Sequence, residues 1–204
     1  MQKFKKVVKK ILAVGLCMTA GLCLTACSQS YPNLGSTKAQ ELRCQTYQMQ
    51  MPESAKSSTS LSSDWYTFEK GGKTYGVIVS SNTNPDEIAD YFKLENIKAY
   101  YLYDRANNLA NILKDKAPAS PTFSGEAKDE TIEGHEAKVT SGKIQNEADS
   151  QKDPVDTEYN YVAIDFFADK ENTTPVEVFV TSTESNENIK NVAIDIVKSI
   201  ETVK

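Results

Sequence analysis

Residues 64–81 read DWYTFEKGGKTYGVIVSS, and this stretch decides the fold. Apolar and polar side chains alternate from Trp65 to Lys70, which is the period of a half-buried strand. Gly71 and Gly72 then form a tight-turn signal, and a second strand-like run follows from Tyr75. The stretch therefore predicts a β-hairpin, which is a natural unit of an antiparallel sheet.

The same turn ends in Gly72-Lys73-Thr74, which are also the last residues of a phosphate-binding loop motif. Two features argue against nucleotide binding here. Residue 67 is threonine where the motif requires glycine. The turn also joins a strand to a strand, so no helix N-terminus faces a phosphate.

Further strands are predicted on both sides of the hairpin. Tyr47, Met49 and Met51 alternate with glutamines until Pro52 ends the run, and residues 54–63 are predicted to form a serine-rich loop. Downstream, similar patterns predict four more strands, at residues 122–132, 135–145, 159–168 and 176–180. The polar, acidic stretch between the second and third of these is predicted to be an exposed loop.

Two helices are predicted between the hairpin and the later strands. Asn84-Pro85 supplies an N-cap followed by proline at the first helical position, so a helix is expected to run to about Glu95. A second helix is expected over residues 97–116. Its core face is predicted from helical spacing to carry Leu102, Ala106, Leu109 and Leu113.

A final helix is predicted after Ser185, because apolar residues then repeat with the full stripe of a helix packed on a sheet. The stripe consists of Ile189, Val192, Ala193, Ile196, Val197 and Ile200. The combined pattern predicts an α+β domain, with a mostly antiparallel sheet of about seven strands packed with helices.

The N-terminus has the pattern of an export signal. Five lysines precede an apolar run from Ile11 to Leu24, which is shorter than a stable membrane span. The residues Leu24-Thr25-Ala26-Cys27 resemble the lipobox of bacterial lipoproteins. This resemblance implies a signal peptide over residues 1–26, acylation of Cys27 and a lipid-anchored protein on the extracytoplasmic face of the cell membrane. An uncleaved signal anchor with a chance cysteine is the alternative.

The expected organisation is a tether over residues 27–45 and a single α+β domain over residues 46–204. Five of the 23 basic residues and none of the 28 acidic residues leave with the signal peptide, so the remaining chain has a formal charge of −10. This charge argues against nucleic acid as a partner. It also argues that a lipid anchor, and not a basic patch, holds the domain at a membrane.

The sequence contains few residues that could form a reactive site. The exported domain keeps only Cys44, which could be a nucleophile, an intermolecular bridge or an unreactive thiol. His135 is the only histidine, which excludes a zinc site with several histidines. The acidic loop around Asp153 could gather calcium, but its spacing does not match an EF-hand. We predict no catalytic residue, no cofactor and no metal site.

The order of elements resembles the Mog1/PsbP-like fold, an α/β/α sandwich. The resemblance is carried by the strand ending at Pro52, the Trp65 hairpin, the Asn84-Pro85 helix start, the long acidic loop before Tyr159 and the closing amphipathic helix. Members of this family include a photosystem subunit, a Ran-binding protein, secretion chaperones and bacterial lipoproteins. The resemblance implies a scaffold that binds proteins and is not an enzyme.

The expected function is therefore that of a membrane-anchored, extracytoplasmic lipoprotein that serves as a non-catalytic protein-binding or accessory module. Its partner is expected to be another envelope protein. Tyr100 and Tyr103 lie off the predicted core face of their helix and are the expected partner surface. The alternatives are a small-molecule or metal-binding lipoprotein serving a transporter, and an enzyme with an unrecognised site.

Overall fold

The computed structural model describes residues 30–59, 63–81, 105, 108–109, 111–114, 117–118, 121–146, 158–171 and 174–203. The chain forms two compact units, Met1–Ser30 and Tyr31–Lys204, and the fold is that of the second unit. The lipobox-like residues with Cys27, the predicted helix over residues 84–95, Tyr100 and Tyr103 lie outside the described residues.

Ten strands are described. In chain order they are β1 (Thr37–Glu41), β2 (Tyr47–Pro52), β3 (Lys56–Thr59), β4 (Ser63–Lys70), β5 (Lys73–Ser81), β6 (Pro121–Ile132), β7 (His135–Asn146), β8 (Tyr159–Phe167), β9 (Pro175–Ser182) and β10 (Glu201–Thr202). Seven of them form one sheet in the order β3-β4-β5-β9-β8-β7-β6, and β1-β2-β10 form a small second sheet. Each neighbouring pair is antiparallel.

The hairpin predicted over residues 64–81 is confirmed. β4 pairs with β5 along its whole length, with Trp65 opposite Ile78 and Lys70 opposite Lys73. Gly71 and Gly72 both have positive φ, at 59° and 74°, a backbone conformation that glycine adopts without a steric penalty. The strands predicted later in the chain are confirmed as β6 to β9, with ends shifted by one or two residues.

The first face of the large sheet packs against the C-terminal helix, Asn186–Lys198. Ser185 caps this helix as predicted, since its side chain accepts a hydrogen bond from the backbone N–H of Asn188 at 3.3 Å. The predicted apolar stripe faces the sheet, where it meets Val176, Val178 and Val180 of β9. This helix–sheet layer is the larger part of the core.

The small sheet extends the same core. It includes part of the segment that was expected to be a tether. β1 lies within residues 27–45, the segment predicted to be a tether, and pairs with β2. Leu34 and Leu42 are buried, and the backbone N–H of Asn33 donates to Asp195 on the C-terminal helix at 2.8 Å. The sequence did not predict this because the segment has no sustained apolar period, whereas strand pairing requires only backbone groups.

A second difference concerns the predicted serine-rich loop over residues 54–63. β3 lies within it and forms the edge of the large sheet by pairing with β4. An edge strand with polar side chains needs no buried stripe, so periodicity does not detect it.

The second face of the large sheet is partly covered by residues of the second predicted helix. Residues 105, 108, 109 and 111–113 are helical. Leu109 and Leu113 are buried as predicted, and they pack with Ile112 over apolar and aromatic side chains of the sheet. Leu102 and Ala106 of the predicted core face lie outside the described residues.

The described residues therefore form an α+β domain whose sheets are mostly antiparallel. The large sheet has seven strands, but it contains β3 in place of the predicted strand at residues 47–52, which belongs to the small sheet as β2. The small sheet was not foreseen. Within the described part of the chain, no helix has the length and apolar character to cross a membrane.

Candidate functional site

Six polar side chains form a line across the second face of the large sheet, and we call this line the polar row. Each member lies directly opposite the next on the neighbouring strand. From β4 to β6 the members are Ser63, Ser80, Glu177, Asp165, Lys138 and Asp129. Because side chains of paired residues lie on the same face, six strands contribute to one continuous polar feature.

The centre of the polar row is a buried ion pair. Arg105 reaches down from the helical residues, and its Nε donates to Glu177 Oε1 at 2.9 Å. Its Nη2 donates to the other carboxylate oxygen, so the contact is bidentate. Arg105 is 2% exposed and Glu177 is fully buried. Two charges that are so fully desolvated are retained only when each satisfies the other.

Aromatic rings surround the guanidinium group of Arg105. Its Cζ lies 5.4 Å from the ring centroid of Phe179 and 6.0 Å from that of Phe123. Tyr161 stacks on Phe179, with ring centroids 5.4 Å apart. The quadrupoles of such rings attract a cation, so the rings add to the stabilisation that Glu177 provides.

A second polar contact ties the same helical residues to the row. Asn108 is buried, and its Nδ2 donates to Ser63 Oγ at 2.9 Å. Arg105 and Asn108 are three residues apart and therefore lie on one side of a helix. The two contacts hold the helical residues in one position along the sheet.

Asp165 is the least satisfied member of the polar row. The side chain as a whole is half-buried, but its Oδ1 is out of contact with solvent and has no hydrogen-bond partner among the described residues. Burial raises the pKa of this carboxyl to about 6, although the charges of Arg105 and Lys138 act in the opposite direction. The Nζ of Lys138 donates a hydrogen bond to Asp129 Oδ1 at 2.6 Å.

Asp165 and Arg105 line an open cleft on the part of the sheet next to the helical residues. The cleft has a volume of about 1140 Å³ and extends over β6, β7 and the turn after β8. Its charged lining comprises the acids Asp129, Glu130, Glu133, Glu136, Asp165 and Asp169 and the bases Arg105, Lys138 and Lys170. Two of these acids, Glu130 and Glu133, pair with Lys190 and Lys198, which lie outside the lining. Six acids then face five bases, and this small surplus of negative charge favours a cationic occupant.

The arrangement offers a carboxylate that can accept hydrogen bonds, but not a metal centre. Among the described residues, no group of three or more histidine, cysteine, aspartate or glutamate side chains could hold a metal ion. A cationic group with several N–H donors is a better match, because it would give Asp165 Oδ1 a partner, which the described residues do not provide.

Of the residues singled out from the sequence that the structure describes, His135 lines the cleft, whereas Cys44 and Glu158 do not. His135 is half-buried and packs edge-on against Phe166, with centroids 5.4 Å apart. Cys44 is a free, partly buried thiol next to the core of the first face. Glu158 forms an ion pair with Lys143, while the other acids of its loop lie outside the described residues.

No protein-family model matches this chain, and no curated protein matches it. Among solved structures, it is similar to the solution structure of cyanobacterial PsbP (CyanoP) from Synechocystis sp. PCC 6803. The TM-score is 0.48 and the identity 11%, over 83% of this chain and 94% of that chain. At this score the likeness carries no argument about function or partners.

The sequence contained one signal for the site that periodicity alone does not interpret. Glu177 alternates with the valines of β9 and therefore shares a face with Phe179. A strand with apolar residues on both sides is buried on both faces, so a glutamate within it requires a buried cation. Arg105 is one of only two arginines in the chain and was the natural candidate.

Replacing Asp165 with asparagine is expected to make stability less dependent on pH. The pKa of Asp165 is higher in the folded protein than in the unfolded chain, so its protonation stabilises the fold at low pH. This contribution is lost as the pH rises from about 4 to about 7. Asparagine cannot ionise. As the pH rises across this window, the free energy of unfolding of the variant should therefore increase by roughly 2–3 kcal/mol relative to that of the wild type.

Urea denaturation of both proteins at several pH values measures this difference. Asp129→Asn is the matched control, because it makes the same chemical change in the same polar row at a side chain that is 87% exposed. Parallel profiles for the wild type and Asp165→Asn would contradict the assignment.

Proposed function

We propose that this protein is a non-catalytic binding module that captures a basic segment of another envelope protein in the cleft. The observation that carries the proposal is that Asp165 lines the cleft and that its buried Oδ1 has no hydrogen-bond partner among the described residues. A buried acceptor without a partner costs about 1–3 kcal/mol. A lysine or arginine side chain from a partner would remove this cost and form a charge-assisted hydrogen bond.

The shape and charge of the cleft support a peptide-like occupant. The cleft is partly open to solvent, so a side chain can enter while its backbone stays outside. The acids at its rim would attract a positively charged segment before contact. Arg105 also lines the cleft, and its charge is balanced by the bidentate contact with Glu177.

The proposal includes the lipid anchor and the fold family expected from the sequence. Acylated Cys27 would hold the module at the membrane, where its partner is also present. The domain would be a Mog1/PsbP-like α/β/α sandwich. Detergent phase partitioning tests the anchor, because Cys27→Ala should move the protein from the detergent phase to the aqueous phase. Retention of the variant in the detergent phase would contradict acylation.

Binding of a fluorescent lysine-rich peptide to the full chain in detergent micelles tests the function. We expect the wild type to bind this peptide but not a glutamate-rich peptide of equal length. Asp165→Asn should weaken binding by roughly 10–100-fold, the worth of one charge-assisted hydrogen bond. Affinity should also rise between about pH 5 and about pH 7, because Asp165 then becomes ionised.

Glu41→Gln is the matched control, since it removes one acid from the exposed part of β1, away from the cleft. Equal losses in Glu41→Gln and Asp165→Asn would show that only net charge matters and would overturn the proposal.

A small cationic ligand is the second candidate, because the cleft is at least as large as ordinary small-molecule sites. If free lysine or a short amine binds as tightly as the peptide, the module is a small-molecule binder and the protein-binding proposal fails.

A further inference from the structure

β6 is a long and exposed edge of the large sheet. It has 12 residues and, in the described part of the chain, it pairs only with β7. Residues 124–129, its central part, are exposed. The outer side of an edge strand presents backbone N–H and C=O groups that can pair with another strand. Proteins often block such edges with charged residues, so the pattern of charges on β6 is informative.

The charges at the centre of β6 are complementary to those of a second β6 that runs antiparallel to it. Glu126 and Lys128 lie on the same face of the strand, and Ala127 lies between them on the other face. If a second β6 pairs antiparallel with Ala127 opposite Ala127, each Glu126 lies opposite a Lys128. Cross-strand pairs of opposite charge stabilise a sheet.

Nearby symmetric registers are less favourable. A register centred on Glu126 or on Lys128 puts that charge opposite its own copy, and like charges directly opposite are destabilising. Around Ala127, Asp129 lies opposite Gly125 and Glu130 opposite Ser124, so no acid faces an acid. Among these three registers, only the one centred on Ala127 pairs lysine with glutamate.

We propose that two copies of this chain associate edge to edge through β6, in antiparallel register around Ala127. The interface is isologous, and one sheet runs through both copies. Ala127 and Asp129 also line the cleft, so the clefts of the two copies meet next to the two-fold axis. The inference does not depend on what the cleft binds.

Disulfide trapping tests the register. Ala127→Cys is made in the full chain together with Cys44→Ser, and the protein is oxidised mildly in detergent micelles. Directly opposite residues in an antiparallel pair have Cα atoms about 4.5–5.5 Å apart, which a disulfide can bridge. We expect most of the protein to run as a covalent dimer on a non-reducing gel.

Thr122→Cys in the same background is the matched control on the same strand. In the proposed register the two Thr122 residues are ten positions apart along the strand, or roughly 34 Å, so no dimer should form. Equal cross-linking at positions 122 and 127, or none at 127, would overturn the proposal.

Charge reversal tests the interface without cysteines. Lys128→Glu puts a glutamate at position 128 of each copy opposite Glu126 of the other copy. Dimerisation should therefore weaken by about tenfold. The double variant Glu126→Lys and Lys128→Glu restores both opposite-charge pairs and should recover the wild-type dimer constant. Sedimentation velocity of the full chain in micelles measures the constant. A monomeric wild type, or a double variant as weak as the single one, would contradict the proposal.

Discussion

Arg105→Met is expected to lower the free energy of unfolding by about 3–5 kcal/mol. The substitution keeps an unbranched side chain of similar reach but removes the guanidinium group. Glu177 then remains fully buried with neither of its two Arg105 hydrogen bonds. This loss of stability comes from leaving one buried charge uncompensated. It is larger than the net contribution of the ion pair to the free energy of unfolding. Urea denaturation monitored through the single tryptophan measures it.

The double variant Arg105→Met and Glu177→Leu separates these two contributions. With both charges gone, the site becomes an apolar contact between the helical residues and the rings of Phe179 and Tyr161. Replacing a buried pair by apolar residues is often neutral or stabilising. We therefore expect the double variant to recover most of the lost stability. If it is as unstable as Arg105→Met, the loss is due to packing and the electrostatic explanation is wrong.

Phe179→Ala is expected to cost about 3–5 kcal/mol, the range for deleting a large buried ring. Phe179 is fully buried at the centre of the second face, where its ring contacts Phe123, Tyr161 and the Arg105 guanidinium. The deletion leaves a cavity and also removes one ring that stabilises the cation. The same denaturation experiment measures the effect.

Phe179→Leu is the matched control, because it keeps most of the volume and should cost less than half as much. Phe123→Leu provides a comparison at the other ring near Arg105, since Phe123 is only partly buried and should tolerate the change better. Equal losses at positions 123 and 179 would show that the second-face core is not centred on Phe179.

The two predictions have a common structural reason. The second face combines an apolar core with a line of charges, and the charges are tolerated only because the register of five strand pairs aligns them under Arg105. From Glu177 to Asp129 the polar row passes from full burial to the surface. Asp165 lies at the transition, where it is buried enough for a raised pKa and near enough to the cleft to meet a ligand.

The sequence by itself determined the elements whose side chains repeat with a clear period. The hairpin over residues 64–81, the strands β6 to β9 and the helix after Ser185 follow from alternation and from a helical stripe, because each buries one row of apolar side chains. The export signal predicted over residues 1–26 is also a local pattern, and it stays a prediction. Tyr100, Tyr103 and Cys27 stay predictions, since they lie outside the described residues.

Only the tertiary structure decided where β1, β3 and β10 pair, because backbone hydrogen bonds do not depend on a side-chain pattern. It alone also assembled the polar row. Ser63 and Glu177 are more than a hundred residues apart in sequence, yet both lie beside Ser80. Cross-strand register fixes such neighbours, and register is a property of the whole sheet, which no single stretch of sequence specifies.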